Sequence, residues 1–189
     1  MNILENAVGK NTLDKVIKII YNNNFPWYYG ATAFEGSNNQ YSFSHVAITE
    51  GKSISALGDI LGTILYTLCD ETNQDIDKIL RIRIGKIMAT PEPIKHEPHI
   101  DLLFPHKTAL LYLHDSDGDT DFYDFNFDYN TKLSPYDYFL RNKSKAVLEE
   151  SITPKFNRFV WFDGCKYHGS TSPTTIDRRI VINFNYITK

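Results

Sequence analysis

Lys107-Thr108-Ala109-Leu110-Leu111-Tyr112-Leu113-His114, then Asp115-Ser116-Asp117-Gly118-Asp119, then Thr120-Asp121-Phe122-Tyr123-Asp124-Phe125, is the stretch that decides the fold class. The first run is rich in β-formers. Asp-Gly can supply the positive φ of a tight turn, and the second run reads as the returning partner, so the stretch predicts a hairpin. Upstream, Leu80, Ile82 and Ile84 alternate with Arg81 and Arg83, the period of a half-buried strand. Downstream, residues 156–162 predict a strand turned by Asp163-Gly164. Residues 179–186 predict the last one. Its alternation sends Ile180, Ile182 and Phe184 to one face and Arg179, Val181 and Asn183 to the other.

The N-terminal part has a different texture. Residues 12–21 read as a helix capped by Thr12, with Leu13, Val16, Ile17 and Ile20 on one face. Residues 55–69 read as a second helix, with Leu57, Ile60, Leu61, Ile64, Leu65 and Leu68 as its apolar stripe. Pro26 keeps residues 25–30 from being helical throughout. A short strand is expected over 41–48 within an otherwise irregular 31–50. Residues 126–153 are the least regular part, with a short helix over 134–140 starting at Pro135 and a polar, mobile stretch at 143–150. The expected class is mainly β with supporting helices (α+β), a sandwich or jelly roll. A single domain over 1–189 is expected, with 1–79 as helical support and 80–189 as the core.

A chain of 189 residues with 42% hydrophobic and 23% charged residues is long and apolar enough for one substantial core. Its 12 Tyr and 12 Phe favour β-structure. A net charge of −3 gives no electrostatic reason to expect nucleic acid as the main partner. Residues 1–10 lack an apolar signal core, and the apolar stretch 54–68 is broken by Gly58, Asp59 and Gly62, so no membrane association is expected. Cys69 and Cys165 form no CxxC or disulfide framework, which points to a reducing, cytoplasmic setting.

His99-Ile100-Asp101 is the only His-x-Asp in the chain. Side chains two apart on a strand share a face, so His99 and Asp101 can hold one metal ion together. His168, after a later strand and turn, would complete a set of two imidazoles and one carboxylate. That set leaves one side of the ion open, as non-haem Fe(II) needs in order to bind a cosubstrate and O2. His96 competes as a ligand, but Pro98 argues against the helix that would align it with His99, and it reads as a surface or outer-sphere residue. His45, His106 and His114 read as structural or exposed.

These residues resemble the 2-oxoglutarate/Fe(II)-dependent dioxygenases, in particular the prolyl-hydroxylase-like branch, and the chain is similar to uncharacterised oxygenases of phage genomes. The resemblance rests on His99-x-Asp101, residues 108–113 (TALLYL), 117–120 (DGDT), 154–163 (PKFNRFVWFD), His168-Gly169-Ser170 and residues 179–184 (RIVINF). It spans about 80–189, with a weaker likeness at residues 25–29 and 43–45. It implies a double-stranded β-helix (cupin-like) core behind N-terminal helices. It further implies that His99, Asp101 and His168 bind Fe(II), that Arg179 (or Arg178) grips the distal carboxylate of 2-oxoglutarate, and that the Tyr112 hydroxyl assists. His114 stands where many relatives carry asparagine. The implied reaction consumes O2 and releases succinate and CO2 while hydroxylating an unactivated C–H. Asp101 points away from the halogenating relatives, which lack that carboxylate.

The motifs do not name the substrate. A peptidyl side chain such as proline, a free amino acid and a nucleobase all stay open, as does the oligomeric state. Residues 24–50 and 126–153 are candidates for a lid. Two other classes compete with an enzyme: a non-enzymatic cupin-like metal-binding module, and a virion or scaffold protein using a jelly roll for packing alone.

Overall fold

The computed structural model describes residues 1–31 and 41–189. The elements run β1 (Asn2–Leu4), α1 (Lys10–Ile20), β2 (Tyr28–Ala31), β3 (Tyr41–Thr49), β4 (Lys52–Ser53), α2 (Gly58–Glu71), β5 (Ile76–Met88), β6 (Lys107–Tyr112), β7 (Thr120–Asn126), α3 (Pro135–Asn142), β8 (Leu148–Ile152), β9 (Phe159–Asp163), β10 (Lys166–Ser170) and β11 (Arg178–Thr188). An eight-stranded sheet has the order β1-β9-β6-β11-β5-β3-β2, with β4 attached to β3; a smaller sheet has the order β10-β7-β8. From β6 onward the chain crosses repeatedly between the sheets, which is the winding of a jelly roll. Among the described residues no helix is long and apolar enough to cross a membrane.

Alternation along β11 distributes the core. Ile180, Ile182 and Phe184 join Ala109, Leu111, Ile82 and Ile84 on the outer face of the large sheet. There they pack under Leu13, Val16 and Ile20 of α1 and Leu61, Ile64, Leu65 and Leu68 of α2. Val181 goes the other way, into the cluster between the sheets with Leu110, Tyr112, Phe122, Val160 and Phe162. A third cluster, Ile100, Phe127, Phe139 and Tyr167, closes the end of the roll near α3. α3 begins where Pro135 predicts, and the Ser134 hydroxyl accepts the Asp137 amide as its N-cap.

Several local expectations are overturned. β6 and β7 do not form a hairpin: β6 lies between β11 and β9, while β7 pairs with β10 and β8. The linking residues are used differently. Asp117 accepts hydrogen bonds from the Thr174 and Thr175 amides. Gly118 does not adopt positive φ; it is needed because a Cβ there would lie 2.5 Å from the Thr171 carbonyl. Long-range contact therefore wins over local turn chemistry. Thr12 lies inside α1, whose N-cap is Gly9. Register slips at Leu80, so that Ile79 takes the buried position, and Arg81 and Arg83 face the interior rather than solvent. Part of the polar 143–150 stretch is β8, paired with β7. Phe156 is exposed and precedes β9.

The start of α2 shows how tightly the helices seat. A Cβ on Gly58 would fall 2.8 Å from the Ala47 carbonyl and 2.1 Å from the Ser53 hydroxyl. Alanine is normally the better helix former, but here the overlap decides the sign. Gly58→Ala is expected to destabilise the protein by about 1–3 kcal/mol, read from urea unfolding midpoints.

Candidate metal centre

His99 and His168 are held against each other by backbone. The His99 amide donates to the His168 carbonyl (2.9 Å) and the His168 amide to the His99 carbonyl (3.1 Å). This is a hydrogen-bonded antiparallel pair, and it extends the small sheet beyond β10. It sets the two rings 4.7 Å apart between centroids. His99 sits in this isolated bridge and Asp101 at its exit, so neither lies in a regular strand. Alternation still operates: Ile100 enters the third apolar cluster while His99 and Asp101 converge with His168.

Each ring is also fixed in tautomer. His99 Nδ1 lies 3.2 Å from the Glu97 carbonyl and His168 Nδ1 3.1 Å from the Lys166 carbonyl. A carbonyl can only accept, so Nδ1 carries the proton and each Nε2 presents a lone pair. Phe162 and Phe122 wall in His168 at 4.9 and 6.1 Å between centroids. Burial, with the His168 charge beside it, pushes the His99 imidazole down to about 4, so it is neutral and ready to ligate at pH 7.

Asp101 is the third member. The ligand atoms of His99, Asp101 and His168 all lie within 4.8 Å of one another. The Asp101 carboxylate accepts from Arg81 (3.0 Å), Asn183 (3.1 Å), Asn185 (3.0 Å) and the Thr108 hydroxyl (3.3 Å). Burial alone would raise its pKa. His168, Arg81 and His99 in their protonated forms, with the Asn183 hydrogen bond, outweigh burial and hold the carboxyl well below the usual range. Sequence reading did not anticipate this outer layer of Arg81, Asn183, Asn185 and Thr108. Only the β5–β11–β6 register, with Arg81 opposite Asn185 and Asn185 opposite Thr108, assembles it.

Arg179 lines the same cavity and is 3% exposed. Its guanidinium donates to the Thr120 hydroxyl (2.6 Å), which lies 2.7 Å from the Tyr112 hydroxyl. Among the described residues Arg179 Nε has no hydrogen-bond partner and no carboxylate forms an ion pair with the group, although the Asp119 charge acts on it. Arg178 points the other way, over the Tyr21 ring at 4.8 Å. His114 does not enter the cavity: its Nε2 accepts the Ile180 amide and its Nδ1 donates to the Asp115 carbonyl, joining β11 beyond the end of β6. His96 is buried rather than on the surface, between the Ser170 and Ser172 hydroxyls. His45 ties β3 to the start of α2 through Ser55. His106 Nδ1 meets the Phe104 carbonyl, outside the triad.

No protein-family model matches the chain, and no curated protein is similar to it in sequence. Solved structures do match. A prolyl hydroxylase from Trichoplax adhaerens, in complex with a hypoxia-inducible-factor peptide fragment, has a TM-score of 0.63 at 17% identity, covering 98% of this chain and 82% of that one. A 2OG-Fe(II) oxygenase family oxidoreductase from Burkholderia pseudomallei has a TM-score of 0.64 at 11% identity, covering 97% and 84%. HygX from Streptomyces hygroscopicus, with nickel and 2-oxoglutarate bound, has a TM-score of 0.61 at 12% identity, covering 97% and 81%. The chain thus shares the jelly-roll fold of these oxygenases across nearly its whole length.

Two outcomes are expected. Asn185→Ala removes donors to Asp101 and Thr108 and should weaken Mn(II) affinity about 10-fold or more, measured by electron paramagnetic resonance titration. Burial, then the Arg179 charge, lowers His96 from 6.5 to about 4. The unfolded chain therefore takes up this proton first. Stability should fall as pH drops from about 6.5 toward 4, and His96→Gln should flatten that slope in urea unfolding at a series of pH values.

Proposed function

We propose that this chain is a non-haem Fe(II)- and 2-oxoglutarate-dependent dioxygenase that hydroxylates an unactivated C–H of a small molecule or a peptidyl side chain. Residues 1–189 act as one domain in this reading, with the site carried by 80–189. Its sequence pattern sides with the prolyl-hydroxylase-like branch and with phage-encoded relatives, and its sparse cysteines with an intracellular setting.

The observation that carries the reading is Arg179, a buried guanidinium with an orphaned Nε and no carboxylate ion pair among the described residues, in the cavity lined by His99 and His168, behind which Asp101 completes the triad. Burying an unpaired cation is costly, so the site is built for a counter-anion that the protein does not supply. The distal carboxylate of 2-oxoglutarate is such an anion, and a planar guanidinium suits it. Thr120 and Tyr112 add hydroxyls beside it. His99, Asp101 and His168 would hold Fe(II) and leave its remaining positions for the cosubstrate. When bound, Fe(II) with 2-oxoglutarate uses one O2 to insert one oxygen atom into C–H and the other into succinate, with CO2 released. The chain's own part is to keep Asp101 ionised, both Nε2 atoms deprotonated and the cavity walled by Leu110, Val181 and Ile87. A structural-metal module would call for a fourth protein ligand and would gain nothing from Arg179.

Anaerobic Fe(II) with 2-oxoglutarate should give a weak visible charge-transfer band, and succinate should form when air is admitted. Asp101→Ala should abolish both. Arg179→Ala should raise the half-saturating 2-oxoglutarate concentration about 10- to 100-fold with Fe(II) affinity nearly unchanged. Absence of the band in the unmodified protein would refute the reading. An unchanged 2-oxoglutarate requirement in Arg179→Ala would remove Arg179 from it.

A further inference from the structure

Arg83 is a second guanidinium in the cavity, and the dioxygenase reading leaves it without a task. It stands on β5 directly across from Asn183 of β11, one inward-facing position from Arg81. Arg81 is committed to Asp101 and Asn185. Arg83 donates no hydrogen bond and joins no ion pair among the described residues, although it lines the cavity with His99, His168 and Arg179. Burial, then the Arg81 charge, lowers its pKa against the opposing pull of Asp101.

Among the described residues, nothing crowds the space beside it. The next inward position on β5 is Gly85, where a Cβ would come no closer than 3.9 Å to the Val181 side chain and 4.0 Å to its carbonyl. Ser42 of β3 lines the same side. None of the described residues lining the cavity is an Asp or Glu. Three cations line the cavity among the described residues: Lys86, Arg83 and Arg179. Lys86 lies over the Trp27 and Phe43 rings, at 4.5 and 5.0 Å. Arg179 is taken by the cosubstrate, which leaves Arg83 as the cation without a described counterpart.

We propose that Arg83 recognises an oxyanion, carboxylate or phosphate, on the substrate, with Gly85 leaving the room for it; the enzyme would therefore act on an anionic molecule. This rests on the dioxygenase reading, because it takes 2-oxoglutarate as the occupant of Arg179. Arg83 is a binding residue here and touches no ligand of the metal.

The test uses the protein loaded with Mn(II) and saturating 2-oxoglutarate, so that the Arg179 end is filled. Inorganic phosphate and 13C-labelled acetate are titrated separately, and their 31P and 13C relaxation by the bound Mn(II) is measured. At least one anion should show saturable relaxation enhancement, and which one responds names the oxyanion. Arg83→Gln should weaken that binding about 10-fold or more, and Arg83→Lys less. The 2-oxoglutarate affinity of Arg83→Gln should stay within about twofold of the parent, and its urea midpoint should not fall, since a half-buried cation with no partner among the described residues has been removed. No saturable enhancement in the parent, or equal enhancement in Arg83→Gln, overturns the proposal. So does a loss of 2-oxoglutarate affinity in Arg83→Gln, which would assign Arg83 to the cosubstrate. Failure of the unmodified protein to bind 2-oxoglutarate at all would instead refute the dioxygenase reading.

Discussion

The reciprocal backbone hydrogen bonds between His99 and His168 are the constraint on which the rest of the centre depends. They join a loop that precedes β6 to the middle of β10, so that two imidazoles far apart in sequence are fixed relative to one another by main chain. Side-chain flexibility is then removed twice over, by the carbonyls that hold each Nδ1 and by the aromatic walls around His168. Candidate ligands preorganised in this way would lose little conformational entropy on binding a metal. Gly169 belongs to the same arrangement, because a Cβ there would lie 2.9 Å from the His96 carbonyl and push the crossing apart.

Charge is the second organising quantity. A lone buried carboxylate among imidazoles stays ionised only where cations and amide donors face it, and Arg81, Asn183 and Asn185 supply them. That layer satisfies Asp101 within the protein. Among the described residues no carboxylate forms an ion pair with Arg179 or Arg83, and on the proposed reading that difference separates the structural charges from those that take a ligand. In the proposed reading the cavity serves an anion as well as a cation, with the metal end and the guanidinium ends drawing on different parts of what binds.

Much of this was legible in the chain, and particular residues show why. The alternation of β11 was readable because a period of two needs no knowledge of neighbours: Arg179 and Val181 face inward and Ile180 and Ile182 outward as the pattern requires. The same logic separates Arg178 from Arg179, since adjacent residues on a strand must diverge. The apolar stripes of α1 and α2 were equally local. The supposed hairpin at 107–125 failed because Asp-Gly is a permission to turn, and whether β6 and β7 then pair depends on competing partners, here β9, β11, β8 and β10. Leu80 failed for a related reason: a bulge against Asn185 and Tyr186 shifts the phase by one residue, and no single-strand pattern records it. The expected lid within 24–50 falls partly on residues 32–40, outside those described.

Residue types and periodicity determined the class of fold, the inward phase of the last strand and the pairing of His99 with Asp101, because these follow from chemistry and spacing along one segment; His168 was a candidate by its type and its place after a later strand and turn. Only the tertiary structure decided which groups stand around them. Arg81 and Asn185 meet Asp101, and Arg83 is left without a hydrogen-bond partner among the described residues, through the lateral order and register of β5, β11 and β6, which arise from contacts such as that between Arg81 and Asn185, 104 positions apart. A strand's sequence states which face each side chain takes, but its neighbours are chosen by the whole core.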